Sequence, residues 1–160
     1  MSARQKQIFI SGLVLVLLMF GSVFGWKETE ISKSVPLPKK IEIIQPTGDL
    51  PKEIAAFSGR WEGEWEEGSR QAKSVLIVEE INAAKAKVIY GWGAYGNVRA
   101  DYSPYTAKVI PGIKPKIEFS TQYRDFSFEM GEDLKTIHGI NKPRKGLNVP
   151  TITMKKIEED

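Results

Sequence analysis

From Gly59 onward, apolar and polar residues alternate in eight short runs separated by turn residues, and this period of two constrains the chain more than any other feature. The runs are Gly59 to Trp65, Ala72 to Ile81, Ala84 to Gly93, Tyr105 to Ile110, Lys116 to Thr121, Arg124 to Met130, Leu134 to Ile140 and Asn148 to Ile157. Most separators, such as Pro111-Gly112 and Gly131-Glu132-Asp133, are a few residues long. Parallel strands need crossovers of a dozen residues or more, so successive runs must pair antiparallel. The expected fold class is therefore all-β, an antiparallel up-and-down barrel of eight strands, because closure removes the exposed edges of a meander. An open two-sheet sandwich is the alternative.

The phase of the alternation assigns inner faces. Trp61, Gly63 and Trp65 share one side of the first run while Glu62 and Glu64 share the other. Val88, Tyr90 and Trp92 align in the third run, Ile117 and Phe119 in the fifth, and Phe126, Phe128 and Met130 in the sixth. The result is a core rich in aromatic rings, with room for only a small cavity. The last two runs have apolar residues in both phases and their inner side stays open. The second run holds four apolar residues in succession, Val75-Leu76-Ile77-Val78, so both its faces call for cover, from the short helix or from the chain before it.

Three segments make up the chain: residues 1–25 as a signal peptide or membrane anchor, 26–50 as a tether and 51–160 as the barrel domain. Arg4 and Lys6 precede a run from Ile8 to Phe20 that carries no charge, the pattern of a charged n-region and an apolar h-region. Cleavage after Gly25 and retention as an anchor over residues 8–26 are both open, and both place the remainder outside the cytoplasm, in the periplasm or beyond. Pro36, Pro38 and Pro46 and scattered charges mark the tether, in which Ile41 to Ile44 offers an edge strand. Asp49 is a candidate cap, followed by Pro51 and by Ile54 and Phe57 three apart, so one or two helical turns are expected there.

Charge and residue types then exclude chemistry. The net charge of +3 depends on Arg4 and Lys6; without them 21 basic residues face 20 acidic ones, interspersed along the chain. No basic stripe for nucleic acid results. The chain has no cysteine, which removes disulfides, thiol nucleophiles, cysteine-based metal centres and a lipoprotein anchor. Its single histidine, His138, lacks the companions of a triad or a metal site, and Glu62, Glu64, Glu66 and Glu67 lack calcium-loop spacing and read as an outward strand face. No catalytic residue, metal or cofactor is assigned.

The stretch from Tyr90 through Gly91, Trp92, Gly93, Tyr95 and Gly96 to Arg99 and Tyr102 is different. Glycines let a ligand approach the backbone, and Tyr and Trp offer flat faces with polar tips. Tyr90, Trp92, Tyr95, Arg99 and Tyr102 are the candidate binding residues at the barrel mouth. A loop whose aromatics merely cap the barrel is the competing explanation.

A short helix leading into Gly59-Arg60-Trp61, at the start of eight meandering strands, resembles the calycin group: lipocalins, fatty-acid-binding proteins and avidin-like barrels. The resemblance covers roughly residues 50 to 157. It implies a barrel with Trp61 as a structural plug at the closed end and ligand binding at the open mouth. Where lipocalins pack an arginine against that tryptophan, the final strand here offers Lys155 and Lys156. The threonine-aspartate-tyrosine motif of lipocalins is absent, and no biotin-binding set transfers.

The reading that follows is an exported, non-enzymatic module that binds a small aromatic or amphipathic ligand. A module that meets an envelope protein or glycan through the same loop is the alternative, and a hydrolase or isomerase with an unrecognised site is the third. A deep aromatic pocket open to solvent favours the first; a filled barrel with a flat aromatic patch favours the second.

Overall fold

The computed structural model describes residues 28–67, 70–146 and 148–158; the signal or anchor segment, residues 1–25, lies outside them. A single turn of helix, α1 (Lys52–Ala55), precedes eight strands: β1 (Gly59–Glu67), β2 (Arg70–Ile81), β3 (Lys85–Trp92), β4 (Asp101–Ile110), β5 (Lys116–Ser120), β6 (Arg124–Met130), β7 (Thr136–Pro143) and β8 (Thr151–Ile157). They pair antiparallel in chain order, and β8 returns to β1 to close the barrel. The up-and-down barrel expected from the period-two pattern is thus the fold, and the sandwich is not.

Strand phases follow the alternation. Trp61, Trp65, Leu76, Val88, Tyr90, Phe119, Phe126 and Phe128 are buried in one interior cluster. On β7 the open phase resolves with Ile137 and Gly139 inward and Ile140 exposed. Gly139 faces Phe128 across the β6–β7 seam. A Cβ there would sit 2.5 Å from Ile152 Cγ2 and 2.7 Å from the Phe128 ring, so only glycine leaves room for that ring.

Both faces of β2 are covered, as its apolar run requires. Outside the barrel, Val75, Ile77 and Ile89 are buried with Val35, and Ile31, Leu37, Ile41 and Ile43 pack around them. Residues 31–43 therefore lie along the outer wall. Gly91 admits them: a Cβ on it would meet Val35 Cγ1 at 2.8 Å. Ile41 to Ile44 do not form the edge strand that their composition offers. The backbone contributes one bond, Ile44 N–H to the Glu79 carbonyl at 2.7 Å, where the β2–β3 register shifts between Val78 and Glu80. A bulge leaves a carbonyl without a ladder partner, and this contact supplies one.

The same cover changes the glutamate face. Glu62 points outward from the barrel as expected, yet it is only 5% exposed, paired with Arg60 at 2.5 Å and hydrogen-bonded by the Thr29 hydroxyl. The helix cap also differs from expectation. Pro51 occupies the N-cap without a side-chain bond, and the Asp49 carboxylate instead takes a hydrogen bond from Thr47, which lowers its pKa.

Candidate functional site

The two ends of the barrel are built differently. At one end α1 lies across the opening, and Ile54 and Phe57 fill it from below. Trp61 is fully buried there and its indole N–H donates to the Phe57 carbonyl at 2.8 Å. Lys156, opposite Trp61 in the β1–β8 register, donates to the Ala56 carbonyl at 2.8 Å and holds its ammonium 5.3 Å from the Trp61 ring centroid. Lys156 thus sits beside Trp61 through a cation–π contact.

Rings crowd the middle. Phe119 and Phe126 stack at 5.1 Å, Tyr90 lies 4.9 Å from Phe126, and Tyr105 stacks on Phe119 at 4.9 Å. Above them the space opens toward solvent as a cavity of about 610 Å³. This exceeds the small void expected from the number of rings and falls within the range of small-molecule pockets. The rings stack on one another and so leave the mouth clear.

Of the five candidate residues, Tyr90, Trp92 and Tyr95 line this cavity. Tyr90 forms its polar floor. Its hydroxyl accepts from the Trp65 indole N–H at 2.7 Å and shares a bond with Ser74 Oγ at 3.0 Å. Burial pushes that hydroxyl up to about 12, against the opposing pull of Ser74, Trp65 and the nearby Arg124 charge, so it stays protonated across the physiological range. Trp92 stacks on Tyr90 at 6.0 Å. Tyr95 belongs to a tight turn over the rim, in which Tyr95 and Val98 exchange backbone bonds of 3.1 and 2.9 Å. Gly96, the first central residue, has φ of 53°, a value that favours glycine.

Arg99 and Tyr102 do not line this cavity. The Arg99 side chain is exposed and does not line the cavity; its carbonyl accepts the Trp92 indole N–H at 3.0 Å, which pins the loop. Tyr102 lies on β4 opposite Gly91 and packs in the outer cluster around Val35. The reason is phase: on β4 Tyr105, Ala107 and Val109 face inward, which turns Tyr102 outward.

The structure adds residues that the loop-centred reading missed. Ser74, Tyr105, Thr121, Tyr123, Arg124 and Asn141 also line the mouth. Two matter chemically. Arg124 shares the inward phase of Phe126, Phe128 and Met130, and it makes no ion pair among the described residues. Asn141, directly opposite Phe126 on β7, is 7% exposed, and its buried Oδ1 has no hydrogen-bond partner among the described residues. Among the described residues no Asp or Glu lines the cavity.

Other chemistry lies elsewhere. His138 is exposed on β7 beside Thr153 Oγ1, 3.2 Å away. Among the described residues no group of three or more acidic or imidazole side chains is placed to hold a metal, and no helix is long and apolar enough to cross a membrane.

No family model matches the chain, and no curated protein matches it significantly. Among solved structures, the chain is similar to a de novo designed fluorescence-activating β-barrel, with a TM-score of 0.51 and 10% identity, covering 67% of this chain and 99% of the designed one. At that identity the likeness concerns the fold alone.

Proposed function

We propose that the chain is an exported, non-enzymatic binding module of calycin-like type, whose barrel mouth takes up a small aromatic or amphipathic molecule. The observation that carries this reading is the cavity of about 610 Å³, open at one end and walled by Trp65, Tyr90, Trp92, Tyr95 and Phe126. A filled barrel with a flat aromatic patch would have favoured a protein or glycan partner instead. Such a partner remains the second reading, favoured by Tyr123 and Val98, which are 70% and 41% exposed at the rim. Gly59 and Trp61 after a short helix support the calycin-like assignment, and Lys156 over the indole is its departure from the lipocalin pattern. Export rests on Arg4, Lys6 and the apolar run after them.

Titration with a panel of small aromatic compounds tests the reading by tryptophan fluorescence. The expected result is saturable quenching in the micromolar range, about 8 kcal/mol of binding free energy. The double variant Trp92→Ala, Tyr95→Ala should abolish the quenching and keep the fold. Unfolding of that variant would make these rings core plugs. A folded variant with no small molecule bound by the parent would favour the protein or glycan partner.

A further inference from the structure

An inward arginine at the rim of an aromatic cavity is costly unless something answers its charge. Among the described residues the cavity is lined by one cationic side chain, Arg124, and by no acidic one. The adjacent carboxylate, Asp125, faces the other side of β6 and pairs with Arg144 at 3.4 Å. Glu118, on the neighbouring strand, likewise turns outward and accepts from Ser127 at 3.0 Å. The acids nearest Arg124 in the β5–β6 hairpin are thus engaged on the outer surface.

A second polar group points into the same space. Asn141 is more than nine-tenths buried, on the inner face of β7, and its Oδ1 is a buried acceptor with no donor among the described residues. Leaving such an atom unpaired is unfavourable, and a bound donor would remove that cost. Asn141 pairs with Phe126, and Arg124 lies two residues from Phe126 on the same face. The two polar groups are therefore diagonal neighbours across one seam, about 7 to 8 Å apart at the backbone. Across the mouth stand the Tyr90, Trp92 and Tyr95 rings.

Resting on the binding reading above, we infer that the ligand is an organic anion: a planar apolar body against Tyr90, Trp92 and Tyr95, an anionic group on Arg124, and a hydroxyl or N–H donor toward Asn141. A guanidinium presents its donors in a plane that matches a carboxylate or sulfonate, which suits a planar anion better than a point charge would. A neutral apolar molecule would fill the same volume and leave both polar groups unanswered.

A matched pair of probes separates charge from shape. 1-Anilinonaphthalene-8-sulfonate and N-phenyl-1-naphthylamine share their rings and their N–H, and only the first carries a sulfonate. Each is titrated into the full chain and followed by probe and tryptophan fluorescence. The sulfonate should bind about tenfold more tightly, the lower end of what a charge-assisted hydrogen bond supplies. Arg124→Gln should erase that advantage and leave the neutral probe unchanged, Arg124→Lys should keep part of it, and Asn141→Leu should weaken both probes. Raising the salt concentration should weaken the sulfonate alone, which tests the charge without any substitution. Equal affinities that neither Arg124→Gln nor salt alters would overturn the anion inference and leave the cavity reading standing. If neither probe binds, or if both bind undiminished to the Trp92→Ala, Tyr95→Ala variant, the cavity reading fails and the anion inference with it.

Discussion

The closed end and the mouth of this barrel are made from the same kinds of residue, an indole, a cation and aromatic neighbours, yet they are wired in opposite ways. At the closed end the Trp61 N–H meets the Phe57 carbonyl, and the Lys156 ammonium meets the Ala56 carbonyl and lies over the Trp61 ring. At the mouth, among the described residues, Arg124 makes no ion pair and the side-chain Oδ1 of Asn141 is buried without a donor. Buried polar groups in folded proteins are almost always satisfied, so the exceptions need a reason. The difference is that polar groups at one end satisfy each other within the fold while those at the other are left open, which is the basis of the proposed binding role.

The largest effect expected from this contrast is at the closed end. Trp61→Ala removes a fully buried ring together with its hydrogen bond and should cost roughly 3 to 5 kcal/mol in denaturant unfolding. A loss below about 1 kcal/mol would show that the end is not a plug and erase the contrast.

Next comes the floor between the two ends. The Tyr90 hydroxyl titrates near 12 in the fold, chiefly because burial disfavours its anion, against about 10 in the unfolded chain. A raised folded-state value means that the stabilisation is present in full below pH ~10 and is lost as pH climbs through ~12, about 3 kcal/mol on an order-of-magnitude scale. Exposed lysines also discharge in that window, so the comparison is with Tyr90→Phe. The variant's stability should fall less steeply between pH 10 and 12. Identical slopes would mean that Tyr90 is reached by water from the mouth.

A smaller effect probes the wall. Gly139→Ala places a Cβ against Phe128 and Ile152 and should destabilise by about 1 to 3 kcal/mol, the usual range for overpacking. No measurable change would mean that the interior is looser than its ring contacts imply. Smallest of all, Trp92→Ala with Tyr95→Ala should shift stability by less than about 1 kcal/mol while removing ligand binding, since half-buried rim residues carry little of the core.

How much of this was readable beforehand depends on phase. The eight strands and most inner-facing residues follow from the period of two, because one buried face forces strict alternation. Val75-Leu76-Ile77-Val78 also signalled an outer cover, although which chain segment supplies it depends on tertiary packing around Val35. Glycines and aromatics alone point to Tyr90, Trp92 and Tyr95 and leave out Arg124 and Asn141. Starting the fourth strand at Tyr105 left Tyr102 outside the phase argument; β4 begins at Asp101, and counting back by twos from Tyr105 turns Tyr102 away from the cavity. Arg124 carried a visible signal, a cation in step with Phe126, Phe128 and Met130, and Asn141 continued the phase of Ile137 and Gly139 one step past the expected strand end. What periodicity cannot convey is satisfaction: that the Lys156 ammonium finds an acceptor and Asn141 Oδ1 finds no donor among the described residues is a matter of distances across seams.

The most direct test of the central claim, that the mouth binds and the closed end only stabilises, is a map of backbone amide shifts on titration with 1-anilinonaphthalene-8-sulfonate. The account predicts saturating changes at Ser74, Tyr90, Phe126 and Asn141, residues of the cavity wall, with Phe57, Trp61 and Lys156 unmoved. Changes centred on Trp61 and Lys156, or on the outer wall around Val35 and Tyr102, would contradict it.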